Sequence, residues 1–94
     1  MYATIRSYSG GTELADALVD NEDGIRGILT PIAGFRAYYL VRGSDGNATT
    51  ISIYDDQAGA EESTRAAAAW VGENLADVAT SPPQVTTGEV AFSL

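Results

Sequence analysis

"FRAYYLVRGSDGNATTISIYD", residues 35–55, reads as a β-hairpin, and the rest of the fold is organised around it. Two runs rich in aromatic and β-branched residues, 35–42 and 48–55, flank a short polar turn. Asp45-Gly46 suits that turn because both residues take positive φ at low cost. The hairpin supplies two antiparallel strands, and the segments on either side decide what covers them.

Upstream, "YATIRSY" (2–8) alternates and reads as a first strand. Gly10-Gly11 breaks it, Thr12 can cap a helix, and Glu13 and Asp16 suit the positive end of that helix's dipole. Leu14, Leu18, Asn21, Ile25, Ile28, Leu29 and Ile32 then recur at three- and four-residue steps, one helical stripe held in phase. Gly24 and Gly27 weaken this stretch by ~1 kcal/mol each relative to alanine. Two readings follow: one kinked helix, or two short helices broken near "DNEDG" (20–24). Pro31 and Gly34 end the element.

Downstream, Asp55 or Asp56 opens a helix running to about Asn74 or Ala79. "SPP" (81–83) is a rigid loop and "QVTTGEVAFSL" (84–94) a last strand. The order β-α-β-β-α-β over residues 1–94 is that of a single ferredoxin-like α+β sandwich with a four-stranded antiparallel sheet.

Two helices cover one face of such a sheet. Sorting the strand residues by parity gives one mainly aliphatic set: Ala3, Ile5, Tyr38, Leu40, Ile51, Ile53, Val90 and Phe92. This set is assigned to the helix side. The opposite set, with Thr4, Ala37, Val85 and Ala91, places Tyr2, Tyr8, Phe35, Tyr39, Val41 and Tyr54 on the open face. An apolar, tyrosine-rich open face marks an interface, since the ring is apolar and the hydroxyl stays wet. A homodimer packed sheet to sheet is the expectation.

Composition narrows the chemistry. Five cations, all arginine, stand against thirteen acids, for a net charge of −8. That surface repels phosphate backbones and anionic lipid, so neither nucleic acid nor membrane is an expected partner. The chain has no cysteine and no histidine, which removes thiolate nucleophiles, Ser-His-Asp triads, the usual zinc sites and histidine-ligated haem. Neither metal nor cofactor is expected. No signal-peptide pattern and no run of the ~20 apolar residues a membrane span needs is present, so a cytoplasmic location is expected.

The second helix holds "STRAAAAWVGENL" (63–75), with the chain's one tryptophan after four alanines. Either Trp70 fills a gap between helix and sheet, or it walls a hollow that the small residues leave. Ala60, Thr64, Ala67, Val71, Leu75 and Val78 form the expected buried stripe, with Ser63, Trp70 and Asn74 beside it. With Asn21 from the first helix and Arg36 and Tyr38 from the sheet, these would line a ligand pocket. Each has a plainer reading: Trp70 as core filler, Asn21 as a helix break, Arg36 snorkelling, Asn74 at a helix end, Ser63 bonded to a helix carbonyl. Asp55-Asp56 and Glu61-Glu62 fit the start of a helix.

"MYATIRSY", "GFRAYYLV", "ISIYDD" and "AAAAWVGENL" together resemble the dimeric α+β barrel superfamily that includes the antibiotic-biosynthesis-monooxygenase-like domains. The resemblance implies a sheet-to-sheet dimer with a pocket in each subunit between helices and sheet. In members that oxidise aromatic polyketides without cofactor, a tryptophan of the second helix lies beside that pocket, and Trp70 matches it. The asparagine that such members carry one turn earlier is Ala66 here; Asn74 lies one turn later. Three functions are therefore carried forward: a dimeric module binding a small apolar or aromatic metabolite, a cofactor-independent monooxygenase of phenolic or quinol substrates, and a structural dimer without ligand.

Overall fold

The computed structural model describes residues 1–9, 12–44, 46–78 and 82–94, with Thr12 described by its backbone alone. The Gly10-Gly11 break, the Thr12 cap, the Asp45 half of the hairpin turn, Ser81 and the helix end expected at Ala79 lie outside the described residues.

The elements run β1 (Tyr2–Tyr8), α1 (Thr12–Asp20), α2 (Glu22–Leu29), β2 (Phe35–Arg42), β3 (Ala48–Tyr54), α3 (Gln57–Asn74) and β4 (Gln84–Glu89). The sheet is antiparallel in the order β2-β3-β1-β4, the ferredoxin-like arrangement. Of the two readings of the first helical stripe, the break is the one that occurs. Asn21 adopts φ −109° and ψ 26°, and its side-chain Nδ2 donates to the Ala17 carbonyl at 2.7 Å. An asparagine that bonds its own preceding turn competes with helix propagation, and α2 starts afresh one residue later. At α3 the cap is Asp56, whose Oδ1 accepts from the Gly59 amide at 3.0 Å.

The two faces of the sheet are not as parity and apolarity suggested. β1 pairs with β3 so that Thr4 stands opposite Ser52, Arg6 opposite Thr50 and Tyr8 opposite Ala48, and this row lies under the helices. Tyr8 and Tyr54, expected on the open face, are 6 % and 0 % exposed. Ile5, Ile51 and Ile53, expected under the helices, belong to the other face. The reason is volume. The sheet-facing side of α3 carries Gly59, Ala60 and Ser63, so bulk has to come from the sheet, and tyrosine rings supply it. A Cβ on Gly59 would sit 2.9 Å from the Ala33 carbonyl oxygen and 3.0 Å from the Tyr54 ring, which shows how closely the helix approaches.

Phe35 changes side for a different reason. A bulge at Arg36 lets Phe35 pair with Tyr54 and Ala37 with Ile53, which flips the parity of β2 at its start. Phe35 therefore packs edge-on against Tyr54, ring centroids 5.7 Å apart at 74°. Tyr2 shares the Tyr54 register and is partly buried. From the expected open-face set, Tyr39 and Val41 do point outward, 57 % and 44 % exposed. Tyr38 and Leu40 lie on the helix side as expected, packed against the core.

The expected last strand is shorter. Pairing with β1 ends at Glu89, the Val90 amide donates to the Met1 carbonyl at 2.8 Å, and Phe92 is 77 % exposed. Phe92 therefore does not pack under the helices, and Val90, one residue past Glu89 in the helix-side register, falls on the opposite parity.

Candidate functional site

The helix-covered face concentrates polar and aromatic groups around Arg6, a residue that the sequence reading did not single out. Arg6 is 2 % exposed. Its Nη2 donates to Ser63 Oγ at 3.2 Å and to Thr64 Oγ1 at 3.3 Å, and its Nη1 to Ser52 Oγ at 3.5 Å. Ser63 Oγ in turn donates to the Ala60 carbonyl at 2.7 Å, which leaves its lone pairs for the guanidinium. All three partners are neutral hydroxyls. An arginine keeps its proton in a protein, so this is a buried positive charge held by dipoles.

Three tyrosines surround that charge. Burial pushes the Tyr38 hydroxyl up to about 12, with Arg6 opposing the rise. Burial likewise raises Tyr8 and Tyr54, again against Arg6, and for Tyr54 also against Ser63. Burial lowers Arg6 in turn, with the tyrosines opposing. The Tyr38 hydroxyl lies near Thr50 and the Tyr54 hydroxyl near Ser63, contacts outside the geometry of formed hydrogen bonds. Thr4 Oγ1 and Arg6 Nε have no hydrogen-bond partner among the described residues.

Two spaces adjoin this cluster. A cavity of about 20 Å³, lined by Arg6, Tyr8, Tyr38, Thr50 and Trp70 among others, has room for one water-sized particle. A groove of about 610 Å³ opens between α1–α2 and β2, lined by Leu18, Ile25, Leu29, Phe35, Tyr38 and Leu40, with Glu22 and Arg26 also contributing. Leu18, Ile25, Leu29 and Tyr38 line both, so they form the partition between the groove and the Arg6 cluster.

The six expected pocket residues divide evenly. Tyr38 and Trp70 meet at the small cavity, and Ser63 joins them through Arg6. Trp70 answers the question its alanine neighbours raised: its indole lies over Gly24 of α2, where an added Cβ would come 3.2 Å from Cζ2. It fills most of the space between α2 and α3, and a water-sized hole remains. The other three stand apart. Arg36, at the bulge, is exposed and ion-paired to Asp55. Asn74 is exposed, its Nδ2 donating to the Trp70 carbonyl at 2.9 Å. Asn21 is spent on the α1 terminus.

The signal for Arg6 was present. Tyr2, Thr4, Arg6 and Tyr8 share one parity, as do Thr50, Ser52 and Tyr54, and this polar row matches the small residues of α3. Among the described residues, no three acidic side chains gather as metal ligands, and no helix is long and apolar enough to cross a membrane.

No family model matches the chain, and no curated protein does. Solved structures do. The chain is similar to a monooxygenase, the ActVA-Orf6 product of Streptomyces coelicolor in complex with nanaomycin D, at 14 % identity and a TM-score of 0.78, covering 99 % of this chain and 89 % of that one. It is similar to a protein of unknown function from Nitrosomonas europaea at 19 % identity and a TM-score of 0.76, covering 99 % and 91 %. A candidate antibiotic biosynthesis monooxygenase from the same organism gives 16 % identity and a TM-score of 0.75, covering 98 % and 100 %. The chain has the fold of the antibiotic biosynthesis monooxygenase proteins.

Proposed function

We propose that the groove between α1–α2 and β2 binds a small apolar or aromatic metabolite, and that the protein does so as a homodimer packed through the open face of its sheet. The observation that carries the reading is the groove itself. Its roughly 610 Å³ and its aliphatic-aromatic lining fall in the range, roughly 300–1,000 Å³, usual for small-molecule sites. The nanaomycin D bound by the similar Streptomyces protein supports a small-molecule ligand. Binding is tested by nuclear magnetic resonance titration with a panel of phenols, quinols and naphthoquinones. Shifts of the Leu18, Ile25 and Leu29 methyls are expected, and Val19→Trp, which places an indole at an exposed groove position, abolishes them. Shifts scattered away from the groove, or unaffected by Val19→Trp, would overturn the reading.

The dimer rests on Ile5, Ile51, Ile53, Tyr39 and Val41, which share the face that the helices leave uncovered. Aliphatic side chains of that number on one sheet face are sheltered by a second copy rather than by water. The charge of −8 argues against nucleic-acid and anionic-membrane partners.

A second reading, cofactor-independent oxygenation of a phenol or quinol, is favoured by Tyr38, which stands between the groove and the buried Arg6. In such chemistry the substrate supplies the electrons to dioxygen, while the protein excludes water and holds the anion. Arg36 and Asn74 lie too far out to help, and Tyr38 is the one of the expected pocket residues that lines the groove. Oxygen uptake above the buffer rate with anthrone- or hydroquinone-type substrates, lost in Tyr38→Ala, is the expected result if turnover occurs.

A further inference from the structure

Every arginine but one has a carboxylate. Arg26 pairs with Glu22, Arg36 with Asp55, Arg42 with Asp16 and Arg65 with Glu62, all at the surface. Arg6, the buried one, has no acidic partner among the described residues, in a chain that carries thirteen acids. A buried charge left without a counterion is costly, and neutral hydroxyls offset that cost only in part.

The surrounding groups cannot supply the missing charge. The titratable side chains facing Arg6 are Tyr8, Tyr38 and Tyr54, which remain neutral phenols at ordinary pH. Arg6 nevertheless lines a cavity of about 20 Å³, has no partner for its Nε among the described residues and shares the space with Tyr8, Tyr38, Thr50 and Trp70, all of which carry O–H or N–H donors. The rest of the wall is apolar, Leu18, Ile25, Ile28, Leu29, Ala67 and Val71, so the cation and these donors are the polar groups that an occupant would meet, and the size admits one particle.

We propose that Arg6 is the centre of a buried site for one chloride-sized inorganic anion, seated in the cavity between Arg6, Tyr38, Thr50 and Trp70. The anion is the counter-charge that the fold omits. Its role is to hold the α3–sheet layer together, and it stands independently of any ligand in the groove.

The test exchanges anions at constant ionic strength. Purified protein in sodium gluconate, whose anion is too large for the cavity, is titrated with chloride and with bromide. The melting temperature is expected to rise with anion concentration, by about 5 °C at roughly five times the dissociation constant and logarithmically beyond it. Bromide, a contact quencher, should quench Trp70 fluorescence along a saturating curve. Arg6→Met, which keeps the length of the side chain without its charge, should abolish both responses. Should Arg6→Met fail to fold, anomalous scattering from a bromide-soaked crystal of the unaltered protein decides, with a peak expected beside Arg6. Identical behaviour in gluconate and chloride, with no bromide peak, would mean that the cavity holds water alone and would overturn the site.

Discussion

Trp70 rests on Gly24: the indole of α3 covers the one spot on α2 where a Cβ would intrude, 3.2 Å from Cζ2 and 3.3 Å from Nε1. Gly27, in the same short helix, has nothing within 4 Å of its would-be Cβ. The two glycines should therefore respond in opposite ways to substitution. Gly24→Val overpacks the α2–α3 contact and is expected to cost about 1–3 kcal/mol. Gly27→Ala meets open space and restores helix propensity, for a gain of about 0.5–1 kcal/mol. Urea unfolding of the two variants measures both signs, and Trp70 emission should shift only in Gly24→Val.

Ser63 carries a heavier share than a helix hydroxyl usually does. Its Oγ relays the Ala60 carbonyl to the Arg6 guanidinium. Ser63→Ala leaves a buried charge short of one acceptor and is expected to destabilise by about 1–3 kcal/mol. Thr64→Val removes a less buried acceptor of the same cation and should cost less. The order of the two unfolding midpoints is the check.

The buried tyrosines tie stability to alkaline pH. A phenol whose folded pKa is raised favours the folded state while it is protonated. That contribution is complete below the unfolded value of 10.0, and for Tyr38 it is lost as pH climbs toward about 12. Tyr8 and Tyr54 shift in the same direction. Cooperative unfolding is expected in that window, accompanied by the rise in phenolate absorbance. Tyr38→Phe keeps the ring and removes the proton, so it should move the transition to higher pH.

The open sheet face predicts its own disruption. Ile51 pairs with Ile5 on one side and Tyr39 on the other, near the middle of the sheet face turned away from the helices. Ile51→Glu places a charge there while leaving the helix-side packing untouched. Sedimentation equilibrium should show a dimer for the unaltered chain and a monomer for Ile51→Glu. A lone chain in both would remove the dimer from the proposed function.

Much of the architecture was legible in the residues. The hairpin over 35–55, the element order and the helix break allowed for near Asn21 all follow from local rules of turn chemistry and periodicity. Which face of the sheet meets the helices was not, because that depends on volume across the layer. The apolar parity of Ile5, Ile51 and Ile53 pointed inward, yet Gly59, Ala60 and Ser63 on α3 left room that only tyrosines could fill. The Arg36 bulge, which turned Phe35 inward, arises from strand pairing and has no local signature. Around the small cavity, spacing along α3 put Ser63 and Trp70 on one side of the helix, and Tyr38 lies on the sheet face that meets them. Arg6 escaped because an arginine in an alternating strand is ordinarily a solvent-facing residue.

A sheet with hydroxyls and phenols turned inward and isoleucines turned outward divides its thermal signature unusually. Exposing apolar surface to water raises heat capacity, whereas exposing polar surface lowers it. Unfolding an isolated chain would therefore carry a small heat-capacity increment for its length. Separating the proposed dimer would add a second, smaller increment from its isoleucine face, and calorimetry at several protein concentrations would see the two steps apart.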